Sequence, residues 1–324
     1  MTNTTNTALV TGANSGLGFE AAAQLAEQGY RNVIITARTD TKAEAARDQL
    51  AARTGLDVFE TLTLDHDDLA TVESAITELA ERGRKIDVLL LNAGASPTKV
   101  PVKTAQGIEG TVASTLIGHH LLTTRLLEKD LLGDKARIII SGSESARGDV
   151  PMFHPLDVDA FAQKHFDGDL EAAIEAQIRM EPPAEYKPSN AYATAKVFVA
   201  WWAAQLSQSL PTGMTVNAVS PGSTPETNAA RNAPFFMRRV MMPMFKLMPG
   251  KSHSVADGAA RYLEAVSYDD DITGRFFASP PKKMVGPLIE VAVDHLDNPE
   301  AQRALFRVAN KVATPRPVTD RKET

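Results

Sequence analysis

Residues 8–18 read Ala-Leu-Val-Thr-Gly-Ala-Asn-Ser-Gly-Leu-Gly, a short apolar run followed by a turn with three glycines. The apolar run predicts a strand, and the alanine-rich stretch after the glycines predicts a helix that ends at Gly29. Gly12 suits the tight turn, Gly16 lets the backbone approach a pyrophosphate, and Gly18 lets the helix pack closely on the sheet. The free N–H groups at the start of a helix attract phosphate. The alternative is an ordinary strand–helix turn, but the position favours a dinucleotide site.

The rest of the chain repeats this alternation of short apolar runs and helical patterns. Buried apolar strands alternating with helices are typical of a parallel sheet that is covered on both faces. We therefore expect an α/β fold with a doubly wound, Rossmann-like parallel sheet. The predicted strands are residues 8–11, 32–36, 57–64, 86–91, 137–141, 215–219 and 272–278. The predicted helices are residues 17–28, 42–53, 67–82, 104–129, 169–180, 190–210 and 255–266.

Composition excludes several other classes of protein. The 324 residues are 43% hydrophobic and carry a formal net charge of −6, which argues against a disordered chain and against a nucleic-acid binder. Cysteine is absent, so disulfides, thiolate nucleophiles and zinc–thiolate sites are excluded. The histidines are scattered, and we predict no metal site. No run approaches the roughly 18 apolar residues of a membrane helix. With a polar start and no signal sequence, we expect a cytoplasmic protein.

The length allows one domain or two, and the absence of a linker or a repeat favours one. We assign residues 1–314 to this domain and residues 315–324 to a flexible tail. Two stretches interrupt the regular alternation. Residues 144–188 form an insertion, and residues 223–250 form an excursion that contains five of the ten methionines.

Two further motifs could carry chemistry. Tyr192 and Lys196 form a YxxxK pattern at the start of a predicted helix, where residues four apart share one face. Lowering the pKa of a phenol from about 10 to about 7 takes roughly 4 kcal/mol, which a nearby ammonium and a positive nicotinamide ring could supply together. Ser141 and Ser143 end the predicted fifth strand. The alternative interpretations are that Tyr192 and Lys196 are an ordinary pair on a helix surface, and that the two serines are loop residues that bond the local backbone.

These motifs, in this order, resemble the short-chain dehydrogenase/reductase family. The amino-acid sequence of the glycine turn is most similar to that of the retinol-dehydrogenase, carbonyl-reductase and protochlorophyllide-reductase branches. The resemblance covers residues 8–278. It implies hydride transfer between a nicotinamide cofactor and a carbonyl or alcohol. It also implies that Tyr192 exchanges the proton, that Ser143 rather than Ser141 holds the substrate oxygen, and that Lys196 binds the nicotinamide ribose.

The resemblance places the cofactor at residues that follow several of the predicted strands. Asn92-Ala93-Gly94 matches the motif that lines the adenine ribose, Asp65 matches the residue that contacts adenine, and Pro221-Gly222 matches the pair at the nicotinamide. The full set of expected cofactor-binding residues is Gly12, Asn14, Ser15, Gly16, Leu17, Gly18, Arg38, Asp65, Asn92, Ala93, Gly94, Tyr192, Lys196, Pro221 and Gly222.

The end of the second strand predicts which nicotinamide cofactor is used. A carboxylate there would bind the ribose 2′-hydroxyl of NAD, but the chain has Arg38, which can hold a 2′-phosphate. Asp40 lies too far along the chain to select NAD. Lys42 could also approach a 2′-phosphate, but a lysine at this position is more typical of a solvated helix start. We therefore expect NADP(H) rather than NAD(H).

One position departs from the family pattern. Thr115 stands where the family often has an asparagine that organises a water near the lysine, and His119 and His120 follow it as helix-packing or surface residues. This departure predicts an altered proton relay or a loss of activity. A regulatory NADP-binding protein without turnover is therefore the alternative function. Reduction of a tetrapyrrole is a third candidate function. The protochlorophyllide-reductase branch that does this generally uses a cysteine, which this chain lacks.

The two interruptions flank the predicted site. Residues 234–248 contain methionines and phenylalanines that suit a lid over an apolar small-molecule substrate. A core-packing helix is the first alternative, and contact with a membrane surface through Arg238, Arg239 and Lys246 is the second. The helix bearing Trp201 and Trp202 packs against a partner subunit in compact family members. In carbonyl reductases an insertion covers that face, so we expect a monomer or a homodimer.

Overall fold

The first strand lies inside the sheet and ends directly before the glycine turn. The computed structural model describes residues 6–224 and 252–314. Their strands form one sheet in the order β3-β2-β1-β4-β5-β6-β7-β8. The strands are β1 (Thr7–Val10), β2 (Asn32–Ala37), β3 (Phe59–Thr63), β4 (Ile86–Leu91), β5 (Leu132–Ser141), β6 (Thr215–Val219), β7 (Phe276–Ala278) and β8 (Ile289–Glu290). Strand order reverses between β1 and β4, and parallel sheets bind ligands at the carboxyl ends beside such a switch point.

Helices cover both faces of this sheet. They are α1 (Gly16–Glu27), α2 (Asp40–Thr54), α3 (Leu69–Arg82), α4 (Gly110–Val112), α5 (Gly118–Glu128), α6 (Val158–His165), α7 (Leu170–Arg179), α8 (Pro188–Ser207), α9 (Val255–Val266) and α10 (Pro299–Val312). Alternate strand side chains enter two separate cores: Ile34 belongs to the core that includes α3, α5, α8 and α10, whereas Ile35 belongs to the core that includes α1, α2 and α9. The expected single-domain, doubly wound fold is therefore confirmed.

The last two strands differ from the expected pattern. Strand β7 was predicted to begin at residue 272 but begins at Phe276, because Gly274 turns the chain at φ +74°. The Asn217 side chain holds this turn by bonding the Ile272 carbonyl and the Arg275 N–H. Strand β8, which the sequence did not predict, pairs antiparallel with β7. The sheet is therefore parallel from β3 through β7 and mixed at this edge.

The long helix predicted for residues 104–129 is shorter and irregular. Gly107 stands at φ +75°, a left-handed conformation that stops a helix. Buried Glu109 then caps α4 by accepting hydrogen bonds from the N–H groups of Thr111 and Val112. A π-helical turn (Ala113–Ile117) joins α4 to α5. π-helical turns are frequent at functional sites, and this one contains Thr115.

The insertion and the C-terminal region carry two helices that the sequence analysis missed. Helix α6 precedes the predicted α7 inside the insertion, and α10 follows β8. Asn298 caps α10 before Pro299, so the start signal was present in the sequence. Helix α10 packs on α8, where Trp201 and Trp202 are buried. That face is covered by the C-terminal helix rather than by the insertion alone.

Within the described residues, no helix is both long and apolar enough to cross a bilayer. The proposed tail (315–324) and the methionine-rich stretch (234–248) lie outside the described residues.

Candidate active site

The glycine turn between β1 and α1 has the geometry that its sequence predicts. Gly12 and Gly16 stand at φ +63° and +60°. A Cβ on Gly18 would lie 2.4 Å from Asn92 Nδ2 and 2.6 Å from the Gly12 carbonyl oxygen, so only glycine fits. Ser15 is the N-cap of α1 without making a side-chain cap, and no acidic residue occupies the first turn. The N–H groups at this helix start therefore suit a phosphate, while Asn14 is exposed and Leu17 packs inward.

The Asn92-Ala93-Gly94 segment after β4 is bonded to this turn. Asn92 Nδ2 donates to the Thr11 carbonyl over 3.0 Å, and the Ala93 N–H donates to Thr11 Oγ1 over 2.9 Å. On the other side, a Cβ on Gly94 would lie 2.9 Å from Thr115 Cγ2. The structure thus brings the first glycine motif, the second motif and the Thr115 position together at the switch point.

His119 connects the end of β1 at Thr11 to the π-helical turn at Thr115, a link that the sequence analysis did not predict. It is fully buried, and its Nδ1 lies 3.1 Å from the Thr115 carbonyl. A carbonyl only accepts, so Nδ1 carries the proton and Nε2 accepts from the Thr11 hydroxyl at 2.9 Å. Burial holds the pKa of His119 well below its usual range. The expectation of a helix-packing residue was correct, and the alternative of a surface residue was wrong. His120 is also buried, between Trp202 and Asn310.

Charged residues gather where β2 and β3 end. Arg38 is exposed and forms no hydrogen bond or ion pair with any residue in the described ranges, whereas Asp40 accepts a hydrogen bond from Thr63. Asp65 Oδ1 accepts from the Asp67 N–H over 3.1 Å. Burial, with a smaller contribution from Asp65, raises the pKa of Asp67 to about 6. Arg38 lowers the pKa of Asp67 through its charge but makes no hydrogen bond to it, so its guanidinium donors are available to an anion, whereas Asp40 is bonded to Thr63.

Tyr192 and Lys196 share one face of α8 at the carboxyl end of β5. Lys196 Nζ lies 5.7 Å from the centre of the Tyr192 ring and donates to the Ser141 carbonyl over 2.7 Å. Burial lowers the pKa of Lys196 to about 8. The pKa of Tyr192 is raised, mainly by burial, while its hydrogen bond with Ser143 acts in the opposite direction. The sequence argument for a lowered phenol pKa includes the positive charge of a bound nicotinamide ring. For the chain itself, burial outweighs the effect of Ser143 and raises the pKa.

The two candidate serines have different partners. The Ser143 side chain lies close enough to Tyr192 to lower the pKa of the phenol, and its hydroxyl oxygen accepts from Ser145 Oγ at 3.0 Å. The Ser141 hydroxyl instead lies 2.8 Å from the hydroxyl of buried Tyr262. The structure therefore brings Ser143, and not Ser141, to the phenol.

Thr115 is buried, and its hydroxyl donates to the carbonyl of Thr111 in its own helix. Its side chain is therefore directed along the helix, and no hydrogen bond joins it to Lys196.

A buried ion pair that the sequence analysis missed supports the loop after β6. Arg261 Nη1 lies 3.4 Å from Glu144 Oε1 and donates to the Ser220 carbonyl over 3.0 Å. The Ser220 hydroxyl bonds Glu144 and accepts from the Gly222 N–H at 3.2 Å. Gly222 stands at φ +78°. This network joins the residue after Ser143 to the Pro221-Gly222 pair, a link that no local pattern in the sequence signals.

Comparisons with known proteins indicate the family of this chain. The family model described as short chain dehydrogenase matches residues 6–155. Chloroplastic protochlorophyllide reductase from Chlamydomonas reinhardtii is 32% identical over 81% of this chain and 66% of its own length. The corresponding Cucumis sativus protein is 32% identical, with 82% and 67% covered. Retinol dehydrogenase 13 of Homo sapiens is 28% identical, with 88% and 79% covered. The chain thus spans about two thirds of the length of the algal and plant proteins.

Solved structures show the same fold. Salutaridine reductase from Papaver somniferum matches with a TM-score of 0.62 and 21% identity, over 84% of this chain and 99% of that one. A short chain dehydrogenase from Burkholderia cenocepacia in complex with NADP matches with a TM-score of 0.58 and 23% identity, over 84% and 94%.

Proposed function

Because this chain belongs to the short-chain dehydrogenase/reductase family, whose members are oxidoreductases that use a nicotinamide cofactor, we propose that it is an NADP(H)-dependent reductase of carbonyl groups in apolar small molecules. The observation that carries the proposal is the placing of Lys196 Nζ 5.7 Å from the centre of the Tyr192 ring on the same helix face, with the Ser143 hydroxyl close enough to act on the pKa of the phenol. The same site would oxidise the corresponding alcohol in the reverse direction.

The cofactor residues of the proposal fall into three groups. The N–H groups at the start of α1 hold the pyrophosphate, with Gly12, Asn14, Ser15, Gly16, Leu17 and Gly18 forming the cradle. Asp65 and the Asn92-Ala93-Gly94 segment line the adenosine end. Lys196 binds the nicotinamide ribose, and Pro221-Gly222 lies at the nicotinamide ring. The cofactor, when bound, supplies the hydride.

The chain itself supplies the proton and the orientation of the substrate. Ser143 donates a hydrogen bond to the carbonyl oxygen and stabilises the negative charge that develops on it. Tyr192 gives its phenol proton to the same oxygen, so hydride and proton together convert the carbonyl to an alcohol. The phenol of Tyr192 is protonated at neutral pH, which is the form that donates. The buried ammonium of Lys196 stabilises the phenolate that remains.

The preference for NADP(H) is supported by Arg38. Its guanidinium is exposed at the end of β2 without a partner among the described residues, and the nearby Asp40 is bonded to Thr63. A planar guanidinium makes charge-assisted hydrogen bonds to a phosphate. The 2′-phosphate of NADP(H) would meet this group, whereas NAD(H) offers only a hydroxyl.

A protein that binds NADP(H) without turnover is the competing function, because Thr115 stands at the position where the family often has an asparagine and its hydroxyl bonds the Thr111 carbonyl. Binding of NADPH measured by fluorescence, together with NADPH consumption against ketones, aldehydes and quinones, separates the two. Consumption with at least one carbonyl supports the reductase. Tight binding with no consumption across the panel supports the regulatory protein.

The burial of Trp201 and Trp202 beneath α10 supports the proposal of a monomer. Size-exclusion chromatography with light scattering distinguishes a monomer from a homodimer.

We also propose that residues 223–250 close over the substrate. Their deletion should raise KM for bulky ketones more than for small ones.

A further inference from the structure

The insertion places an aromatic ring beside the phenol of Tyr192. The ring centroids of Phe153 and Tyr192 lie 6.0 Å apart, with the ring planes at 56°. Phe153 is only partly buried, and the preceding Met152 is 62% exposed. Aromatic rings pair favourably at 4.5–7 Å in tilted arrangements. The proton donor is therefore bordered by an apolar, partly open surface.

Helix α8 fixes the position of this surface. The His154 N–H donates to Asn190 Oδ1 over 3.4 Å, and the Leu156 N–H donates to Thr194 Oγ1 over 2.9 Å. Asn190 and Thr194 stand on either side of Tyr192 in the chain. The segment that carries Phe153 is thus attached to the helix that carries the phenol, and its distance from the phenol is set by the fold.

The backbone of this segment is held in an uncommon conformation. Met152 stands at φ +72°, where residues with a Cβ rarely lie. The Phe153 N–H closes the turn by donating to the Val150 carbonyl over 3.2 Å. Such conformations persist where the surroundings fix them, and they occur often at ligand sites.

Taking the proposed carbonyl reductase as its basis, we propose that Phe153 is a specificity-determining residue that favours carbonyl substrates bearing an aromatic ring. The carbonyl oxygen must reach Tyr192, and Phe153 borders the tyrosine ring at 6.0 Å between centroids, so a group attached to the carbonyl carbon on that side would meet Phe153. A flat ring can pack on the face or edge of Phe153, whereas a saturated ring of similar size gains only apolar contact. Met152, with its adaptable thioether, extends the same surface.

The test compares acetophenone with cyclohexyl methyl ketone, which share the methyl ketone and differ in the ring. The kcat/KM ratio of the two substrates is measured with NADPH for the wild type and for Phe153→Leu. The intrinsic reactivities of the two ketones cancel when the variant's ratio is divided by that of the wild type. We expect the preference for acetophenone to fall roughly two- to tenfold, the range of an aromatic pair.

Two further variants control the experiment. Phe166→Leu makes the same change in the same insertion, where the ring packs on Phe161 instead, and should leave the ratio unchanged. Phe153→Tyr keeps the ring and should retain the wild-type ratio. An unchanged ratio in Phe153→Leu, or an equal fall in Phe166→Leu, overturns the inference while the reductase stands. A wild type that reduces no carbonyl overturns the proposed function, and the inference with it.

Discussion

The Nζ atom of Lys196 donates a hydrogen bond over 2.7 Å to the carbonyl oxygen of Ser141, 55 residues earlier in the chain. The lysine is 4% exposed, and no carboxylate in the described part of the chain forms an ion pair with it. An ammonium group buried with a carbonyl partner alone is costly to keep charged. This is why burial lowers the pKa of Lys196 to about 8.

The lowered pKa of Lys196 predicts a pH-dependent stability. The folded protein releases this proton near pH 8 and the unfolded chain near 10.5, so the unfolded state binds more protons between these values. Stability from this group therefore rises with pH across the window, is lost as the pH falls from 10.5 to 8, and changes no further below 8. The free energy of unfolding of the wild type relative to Lys196→Met should rise by up to about 3 kcal/mol from pH 8 to 10.5. Chemical denaturation of both proteins across this range measures it.

Lys187→Met is the matched control, since Lys187 is exposed at the start of the same helix. Its curve should run parallel to that of the wild type. Parallel curves for Lys196→Met would instead show that the buried ammonium does not titrate in this window.

The different partners of the two serines predict opposite phenotypes. Ser143→Ala removes the hydroxyl beside Tyr192 and should lower kcat by about 10²–10³, as removal of one preorganised donor does, while the loss of its hydrogen bonds with Ser145 costs about 1 kcal/mol of stability. Ser141→Ala should keep activity but leave the buried Tyr262 hydroxyl unpaired, at a cost of roughly 1–3 kcal/mol. Steady-state kinetics and denaturant melts on both variants give the answer. The reverse pattern would assign the substrate oxygen to Ser141.

Gly18 provides a steric test of the cofactor cradle. An added Cβ would lie within 2.6 Å of both Asn92 Nδ2 and the Gly12 carbonyl oxygen, so Gly18→Ala should displace the turn and abolish NADPH binding. Gly55→Ala is the control, because a Cβ there meets no atom within 4 Å. Its φ of +70° should cost only about 1 kcal/mol of stability. Fluorescence titration measures both. Wild-type affinity in Gly18→Ala would place the pyrophosphate elsewhere.

Arg38 tests the choice of cofactor. Its guanidinium lacks a partner among the described residues, so Arg38→Ala should weaken NADPH binding roughly 10- to 100-fold, the range of charge-assisted hydrogen bonds, and leave NADH binding unchanged. Lys42→Ala, in the exposed first turn of α2, should change neither. The ratio of the two dissociation constants is the measurement. An unaltered ratio in Arg38→Ala would remove the basis for NADP(H) preference.

The sequence predicted the fold wherever the signal was local. The glycine turn of residues 12–18 joins a strand to a helix, as its spacing indicated, and the apolar strands alternate as a parallel sheet requires. The i, i+4 spacing of Tyr192 and Lys196 placed both on one helix face. These features depend on neighbours in the chain, so the pattern alone is sufficient.

The missed features depend on residues far apart in the chain. Thr11 bonds His119 across 108 positions, and Glu144 pairs with Arg261 across 117. Neither contact has a periodic signature, because each follows from which loops the sheet topology brings together. The irregular start of the helix before Thr115 was missed for a related reason, since the apolar pattern continues through the π-helical turn.

The central claim is that Tyr192 protonates a carbonyl oxygen during NADPH-dependent reduction. The most direct measurement is NADPH oxidation coupled to alcohol formation by the wild type and by Tyr192→Phe, with the affinity of each for NADPH determined in parallel. We expect one alcohol per NADPH from the wild type, and in Tyr192→Phe a fall in kcat of about 10²–10⁴ with unchanged NADPH affinity. Equal turnover by the two proteins would contradict the claim.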